Sequence, residues 1–430
     1  MNAGFDAASA FLLVLLLMAP LAVAGLALIN TGLSRSRSAA QSILGSAALA
    51  AWALVVFALA GSAVAGWLPP ASGGWTWTLN VAGKPWNLSG MAPLLLAGAA
   101  KAPAAALGGL LFEATAAALL VLIPWGSGSD RFRLAGGLSV AVMLALVAFP
   151  LLAHWTWNGG WLGGLGANFQ LGAGFLDPGG AASIHLLGGL AALAVIWITG
   201  PRRGKFPREG LATAMPGHNA VYVVFGCLLA LVGWTAFNLA GTLLWVPGAL
   251  KPPLALVALN TMLTAAAALM ATYVVTRARF GKPDASLCAN GWLAGLVASS
   301  AAAPFLPPAG ALVLGAVAGV AAPLLVELLE LALSIDDPSG AIAVHVSGGL
   351  LGLVAAGLAA PLAGQLTAQL VGIAAILGLL FPGLYFAFLL VNRFVPFRAD
   401  PDGERMGMDL DELGGSAYPE FVIHRDESYR

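Results

Sequence analysis

Residues 177–190 read DPGGAASIHLLGGL, and residues 337–350 read DPSGAIAVHVSGGL. The two segments are identical at eight of fourteen positions, in the pattern D-P-x-G-A-x-x-x-H-x-x-G-G-L, and lie 160 residues apart. A match of this extent indicates an internal repeat. Each copy places one histidine inside an apolar stretch. The chain is therefore predicted to consist of two related halves with one such histidine each.

The composition around these segments is that of a membrane protein. Of the 430 residues, 60% are hydrophobic and only 9% are charged, whereas soluble proteins carry roughly a quarter charged residues. The chain shows no nucleotide-binding loop, nucleophile motif or metal-ligand spacing. The sequence therefore predicts neither an enzyme nor a cofactor, metal or nucleic-acid site, and it predicts lipid as the surroundings.

Eleven stretches are apolar over the length of about 20 residues that a membrane-spanning helix needs. Their approximate ranges are 9–31, 40–66, 103–125, 133–154, 180–199, 217–242, 252–276, 285–303, 308–334, 339–361 and 365–394. The predicted fold is an all-α integral membrane protein with about 11 transmembrane helices. Residues 1–394 form the membrane domain, with repeat one at about 9–199, repeat two at about 217–361 and helix 11 at about 365–394. Residues 395–430 form a cytoplasmic tail.

The basic residues of the loops predict the orientation. If the N-terminus is outside, sixteen of the nineteen Lys and Arg residues lie on the cytoplasmic side, as the positive-inside rule requires. These are Arg35, Arg37, Arg131, Arg133, Arg202, Arg203, Lys205, Arg208, Arg277, Arg279, Lys282, Arg393, Arg398, Arg405, Arg425 and Arg430. Only Lys84, Lys101 and Lys251 lie on the other side. The N-terminus is therefore predicted outside and the C-terminus inside.

The two repeats are predicted to be inverted relative to one another, because five helices per copy is an odd number. Inverted repeats are typical of transporters and place the substrate path at their interface. Each histidine follows its aspartate by eight residues, or about 12 Å along a helix, so both reach the middle of a core about 30 Å thick. His185 and His345 are expected to meet, with the pairs Gly188–Gly189 and Gly348–Gly349 permitting a close crossing.

Two interpretations of the histidines are open. Each is either a core histidine that bonds to a neighbouring hydroxyl or carbonyl, or one of a functional pair, which is the default for ionisable groups inside membranes. Neutral imidazole both donates and accepts hydrogen bonds, so a facing pair suits a small polar molecule or a proton. Asp177 and Asp337 are expected to cap their helices, with Pro178 and Pro338 at the first helical position. Asp337 is expected to be structural only, and Asp177, at the outer face, also to attract a cation.

At these residues the chain resembles the Amt/Mep/Rh family of ammonium transporters, in particular the bacterial Amt branch. The most specific motifs are DPGGAASIH ending at His185, SIDDPSGAIAVH ending at His345, WTAFN at 234–238, GKPDASLCANGWLAGLV from 281 and ERMGMDLDELGGSAYPEF from 404. The resemblance implies transport of ammonium, or of ammonia with or without a relayed proton. It also implies a homotrimer with one pore per subunit, and twin pore histidines at His185 and His345.

The resemblance also implies an outer recruitment site and gate. The family's outer tryptophan corresponds to Trp157, its outer aspartate to Asp177 and the second phenylalanine of its stacked gate to Phe237. The family's F-Q-x-x-F pattern corresponds to FEATA at 112–116. Phe112 matches the first phenylalanine, Glu113 replaces the glutamine, and Ala116 replaces the gate phenylalanine. Gly241 stands where a serine is usual. We therefore expect a thinner outer site with an additional carboxylate.

The tail at 395–430 resembles the family segment that docks PII-type signalling proteins. The usual G-x-D-x-x-x-H-G-E-x-A-Y appears as GMDLDELGGSAY, with Leu413 and Gly415 at two of the expected positions. A solvated disordered tail is the alternative. The predicted location is the bacterial inner membrane, as a multi-pass protein. The alternative functions are an ammonium sensor of the same fold with little or no flux, and an Rh-like channel for ammonia or carbon dioxide.

Overall fold

The computed structural model of the protein describes residues 7–68 and 74–421, apart from the side chain of Phe421. Within this part of the chain, ten helices are long and apolar enough to cross a membrane. They are α1 (Ala7–Leu33), α2 (Ser36–Ala65), α3 (Ala104–Ser127), α4 (Leu134–Thr156), α5 (Ala181–Thr199), α6 (Ala220–Trp245), α7 (Leu254–Phe280), α9 (Pro308–Ala332), α10 (Ile342–Ala359) and α11 (Gln365–Phe394). The multi-pass helical fold is confirmed.

The eleventh predicted span is the helix α8 (Ala285–Ala302). This helix is 18 residues long and less apolar than the others because it carries Asn290, Ser299 and Ser300, all of which are buried. Since lipid cannot satisfy such polar groups, α8 lies inside the protein, against α7, α9 and α10. Two sets of five helices, α1–α5 and α6–α10, are therefore followed by α11.

The repeated segments cross at their glycines. A Cβ atom added to Gly189 would lie 2.9 Å from the backbone nitrogen of Val346, and one added to Gly349 would lie 2.7 Å from the carbonyl oxygen of Ala181. Both approaches are too short for any side chain, so backbone packs directly on backbone. The predicted close crossing of α5 and α10 is confirmed, and it is reciprocal, as an inverted repeat requires.

Both crossing helices open with a π-helical segment. Ala181–Leu186 at the start of α5 contains His185, and Ile342–Val346 at the start of α10 contains His345. The wider π-turn is frequent at functional sites, although in this structure it also occurs in α2, α4, α9, α11 and the tail. The structure therefore repeats the same local distortion around both histidines.

A β-hairpin between α2 and α3 was not predicted. Strands β1 (Trp75–Val81) and β2 (Lys84–Met91) pair antiparallel around Ala82 and Gly83, whose φ angles of 51° and 72° suit a tight hairpin turn. The hairpin lies against the end of α4, because Trp155 Nε1 donates to the carbonyl of Leu88 at 2.8 Å. The all-α expectation is thus incomplete in the loop that follows α2.

A buried ion network closes the end of the molecule predicted to face the cytoplasm. Arg202 donates to both carboxylate oxygens of Asp336 at 2.9 Å and to Asp130 at 3.0 Å. Burial acts to raise the pKa of Asp336, but the hydrogen bonds from Arg202 and the charge of Arg131 hold that pKa below its ordinary value. Because the pKa of Asp336 is lowered in the folded state, the ion pair of Asp336 with Arg202 stabilises the protein fully at pH values above 3.8, the ordinary pKa of the group. This stabilisation is lost as the pH falls through the folded-state pKa.

The described part of the tail is ordered against this end. Glu404 accepts from the backbone nitrogen of Arg203 at 2.7 Å and from Arg398 at 2.8 Å, and it is 6% exposed. A solvated disordered tail is therefore wrong for residues 395–421. The predicted cytoplasmic residues Arg425 and Arg430 lie outside the described residues.

Candidate functional site

The two repeat histidines meet in the core of the molecule. The rings of His185 and His345 have centroids 5.2 Å apart and planes 21° apart, and the residues are 0% and 1% exposed. Within the described residues, neither ring nitrogen of His185 nor Nδ1 of His345 has a hydrogen-bond partner. The described residues therefore supply no hydroxyl or carbonyl partner to these three nitrogens, which favours the interpretation of the histidines as a functional pair.

Trp234 holds the histidine pair from one side. Its indole stacks on the His185 ring with centroids 4.8 Å apart and planes 12° apart, and its Nε1 donates to Ser300 Oγ at 3.0 Å. Trp234 was not predicted from the sequence to have a role. The signal was present, since Trp234 lies in the quoted WTAFN segment, about one helical turn before Phe237.

Above the histidines, Phe112 and Phe237 form a closed aromatic stack. Their ring centroids are 4.0 Å apart with planes 25° apart, and the residues are 0% and 2% exposed. Ala116 stands at the position of the gate phenylalanine, and Phe112 provides the second ring of the stack.

Gly241 explains how Phe112 reaches this position. A Cβ atom at Gly241 would lie 1.9 Å from the carbonyl oxygen of Pro178 and 3.2 Å from the ring of Phe112. The loop before α5 and the phenyl ring both pack against bare backbone there. A serine, the residue usual at this position in the family that the chain resembles, would therefore overlap the Pro178 carbonyl in this arrangement, and no side chain of residue 241 contributes to the site.

Outside the stack lies a cavity of about 410 Å³. Its lining includes Glu113, Trp157, Asn158 and Trp245. The indoles of Trp157 and Trp245 are nearly parallel, with centroids 5.7 Å apart and planes 12° apart. Trp245 was missed in the sequence, although it lies eight residues beyond Phe237 on the same helix.

Trp157 connects the cavity to the stack and to the repeat. Its indole meets Phe112 edge-on at 5.3 Å, and its Nε1 donates to the backbone carbonyl of Asp177 at 2.8 Å. Only 8% of Trp157 is exposed. Trp157, Phe112 and Phe237, which were predicted from separate segments, are therefore brought together.

Glu113 points its carboxylate into the protein. Asn158 Nδ2 donates to Glu113 Oε1 at 2.6 Å, while Glu113 Oε2 has no partner among the described residues. The residue is 1% exposed, although it also lines the cavity. Its acid group thus lies inside the protein rather than at the rim.

Asp177 is 3% exposed and caps α5 with its carboxylate. Oδ1 accepts from the backbone nitrogen of Ala182 at 3.0 Å, and Oδ2 accepts from the nitrogen and the hydroxyl of Ser183, both at 2.8 Å. The expectation that Pro178 opens the helix is wrong. The helix begins at Ala181, after a turn in which Gly180 has a φ of 80°.

Asp337 repeats this arrangement at the other end. Its Oδ2 accepts from the backbone nitrogen of Ile342 at 2.7 Å, across a turn in which Gly340 has a φ of 68°. The helix begins at Ile342, so Pro338 is not its first residue. This hydrogen bond caps the start of α10, in agreement with the structural role expected of Asp337. Among the described residues, no group of three or more His, Cys, Asp or Glu side chains is placed to hold a metal ion.

Comparison with known proteins agrees with this geometry. The profile of the Ammonium Transporter Family matches residues 10–418. Ammonium transporter Amt2 of Haloferax mediterranei is 33% identical over 93% of this chain and 87% of its own length, and Amt2 of Archaeoglobus fulgidus is 33% identical over 74% and 70%.

Solved structures support the fold. A structure described as a sensor Amt protein superposes with a TM-score of 0.82 at 24% identity, covering 94% of this chain and 98% of its own. Candida albicans Mep2 superposes with a TM-score of 0.76 at 23% identity, covering 98% and 92%. The profile and the sequence relatives, together with the paired histidines between inverted helices, establish that this chain belongs to the ammonium transporter family, a family of transporters and not of enzymes.

Proposed function

We propose that this protein moves ammonium across a cell membrane, as NH₃ with or without a relayed proton, through a pore that contains His185 and His345. The observation that carries the proposal is the stacked histidine pair with unpartnered ring nitrogens in an otherwise apolar core. Such a pair offers hydrogen bonds to ammonia and to a proton. It offers a bare metal ion no oxygen ligands in place of its hydration shell.

Entry is proposed to run through the cavity and the aromatic stack. A cation in the cavity is attracted to the faces of the tryptophans, at about 0.5–2 kcal/mol per interaction. The rings of Phe112 and Phe237 then separate it from the histidines and exclude water. Asp177 supports this route by fixing the start of α5, and through its carbonyl it also fixes the indole of Trp157.

We further propose a homotrimer, one pore per subunit, in the bacterial inner membrane. The exposed apolar face of α6 supports an interface with lipid or with a neighbouring subunit. It includes Val221, Val224, Phe225, Leu228 and Val232. The tail at 395–430 is proposed as a regulatory segment that docks a PII-type protein, supported by the match to the family tail in residues 407–418.

The test is an ammonium pulse applied to proteoliposomes, with current and internal pH recorded. Wild type is compared with His185→Ala, and potassium replaces ammonium as the ion control. His218→Gln is the matched control variant, because His218 lies at the tail and bonds to Ser34 and Tyr418 outside the pore. We expect a potassium-insensitive signal in wild type that is retained in His218→Gln and altered in His185→Ala.

The same experiment separates transport from sensing. If wild type gives no flux while calorimetry still detects ammonium binding, the transport proposal fails and an ammonium sensor becomes the better interpretation. If flux is present but His185→Ala leaves both the current and the pH change as in wild type, the histidine pair is not the path.

A further inference from the structure

We propose that Glu113 is the anionic ligand of the outer cavity, where its free carboxylate oxygen binds ammonium and small primary alkylammonium ions beside the indoles of Trp157 and Trp245. This inference rests on the transport function proposed above and adds to it a charged binding group and a substrate class. It makes the carboxylate, rather than the aromatic rings alone, responsible for cation affinity.

The carboxylate of Glu113 has one oxygen without a hydrogen bond. Glu113 Oε2 is buried and has no partner among the described residues, while Oε1 is held by Asn158 at 2.6 Å. Burying a polar atom without a hydrogen bond is costly, and burying an unpaired charge costs much more. A carboxylate in this position is therefore completed by a proton or by a donor from outside the chain.

No basic side chain lines the cavity among the described residues. Glu113 is the one ionisable side chain of that lining. No Lys or Arg of the described chain forms an ion pair with it; the ion pairs of the described residues lie at the end of the molecule predicted to face the cytoplasm. A cation from solution is left as the charge partner, and the cavity beside Oε2 is where it would lie.

The walls of the cavity suit a small organic cation. Trp157 and Trp245 present indole rings to the same cavity, and indole faces attract organic cations. An ammonium N–H donates to the carboxylate oxygen, which potassium cannot do. The volume of about 410 Å³ exceeds what ammonium itself occupies, so a methyl group on the nitrogen is accommodated.

The carboxylate is also fixed in place. Asn158 Nδ2 donates to Glu113 Oε1 and, at 2.9 Å, to the carbonyl of Ala65. His154 Nδ1 lies 3.1 Å from the same carbonyl, which is an acceptor and so receives the imidazole N–H. This network holds Oε1, while Oε2 has no hydrogen-bond partner among the described residues and Glu113 itself lines the cavity.

Gly241 removes the other candidate for a ligand at this end of the pore. Since a Cβ atom there would overlap the Pro178 carbonyl at 1.9 Å, no hydroxyl of residue 241 reaches the cation. The binding group is therefore displaced from the Phe112–Phe237 stack to the side of the cavity where Glu113 and Asn158 lie.

The test compares Glu113→Gln with wild type for ammonium-driven current and for its inhibition by methylammonium. Glutamine keeps the size of the side chain and an oxygen for Asn158, and removes only the charge. Because a hydrogen bond to a charged group is lost, we expect the KM for ammonium to rise about tenfold or more. We expect the maximal current of the variant to change by a much smaller factor than the KM. Methylammonium is expected to inhibit the ammonium current of the variant far less than that of wild type.

Two variants control this result. Glu209→Gln removes a carboxylate from an exposed loop and is expected to match wild type. Glu113→Asp retains the charge on a shorter arm, and is expected to restore part of the affinity and the inhibition by methylammonium. Size-exclusion profiles and melting temperatures establish whether each variant is folded. If Glu113→Gln does not fold, the comparison of Glu113→Asp with wild type replaces it.

The outcomes separate this inference from the proposed function. If wild type transports and Glu113→Gln has an unchanged KM and unchanged methylammonium inhibition, the role of Glu113 is wrong and transport stands. If wild type carries no ammonium current, calorimetric binding of methylammonium to wild type and Glu113→Gln decides instead. Tenfold weaker binding by the variant supports the site, and equal binding overturns it.

Discussion

Gly241 is the residue on which the outer end of the pore depends. It allows the carbonyl of Pro178 and the ring of Phe112 to approach within contact of the α6 backbone. This close approach explains two features: a residue with a hydroxyl group does not fit at position 241, and Phe112 stacks on Phe237. Neither feature follows from Gly241 considered alone in the sequence, because the distance to Pro178 is set by the packing of α6 against the loop before α5.

We predict that Gly241→Ser destabilises the protein. The new Cβ would lie 1.9 Å from a backbone oxygen, so the loop before α5 must move, and overpacking of this kind costs about 1–3 kcal/mol. The melting temperature in detergent is expected to fall, and the Phe112–Phe237 stack to loosen.

Gly383→Ala is the matched control, because a Cβ atom there meets nothing within 4 Å. Its melting temperature is expected to equal or slightly exceed that of wild type, since alanine favours a helix over glycine. A Gly241→Ser variant as stable as Gly383→Ala would show that the loop before α5 adapts without cost.

At the scale of the helix, the starts of α5 and α10 show what the sequence reveals and what it leaves hidden. The repeated Asp-Pro and the histidine eight residues later predict two related helices and a meeting of His185 with His345, and both predictions are confirmed. The same pattern wrongly places the proline at the first helical position. The turn instead depends on Gly180 and Gly340 in left-handed conformations, and glycine in a sequence does not reveal the sign of its φ.

The hairpin was missed for a related reason. A two-stranded hairpin is marginal by itself, and β1 and β2 depend on contacts with the end of α4, such as the Trp155 bond to Leu88. Such contacts join segments 67 residues apart. They are not visible in local alternation of apolar and polar residues, especially where most of the chain is apolar.

We predict that the aspartate before α5 stabilises its helix more than an ordinary cap does. Asp177→Ala leaves the buried nitrogens of Ala182 and Ser183 without an acceptor, at about 1–3 kcal/mol for each unsatisfied group. Asp284→Ala is the control, since Asp284 caps α8 through one bond to Leu287 at an exposed position, worth about 0.5–2 kcal/mol.

Thermal unfolding in detergent measures both variants. The melting temperature is expected to fall clearly further for Asp177→Ala than for Asp284→Ala, with Asp177→Asn between Asp177→Ala and wild type, because the amide keeps one acceptor oxygen. Equal losses for the two alanine variants would mean that water reaches the start of α5 and replaces the carboxylate.

At the scale of the whole molecule, the tail caps two helices, α2 and α4, that pack against each other in the membrane domain. Asp409 accepts from the backbone nitrogens of Gln41 at 2.8 Å and Ala40 at 3.2 Å, near the start of α2. Glu412 accepts from the nitrogen of Leu134, the first residue of α4, at 2.8 Å. The first N–H groups of a helix have no partner within it and favour negative charge, so the acidic tail caps two helices at once.

These contacts span as many as 369 residues, which is why the sequence predicted the position of the tail but not its partners. The positive-inside rule required only that the tail and the basic loops share one side of the membrane. Capping of α2 and α4 by Asp409 and Glu412 gives that shared side a specific structure. A displacement of the tail would therefore remove the caps of both α2 and α4.

We predict that Asp409→Ala releases the tail. Asp409 is 0% exposed, so the variant leaves two helix-start nitrogens uncapped and removes a charge-assisted contact. Cleavage of detergent-solubilised protein by trypsin after Arg405 is expected to accelerate about tenfold or more, because cleavage follows the population of the open form. Mass spectrometry of the fragments identifies the site.

Glu420→Ala removes a carboxylate from the exposed end of the tail and is expected to be cleaved at the wild-type rate. Should Asp409→Ala also be cleaved at that rate, the tail would be held by the Glu404 contacts with Arg203 and Arg398, and capping of α2 would not contribute to docking.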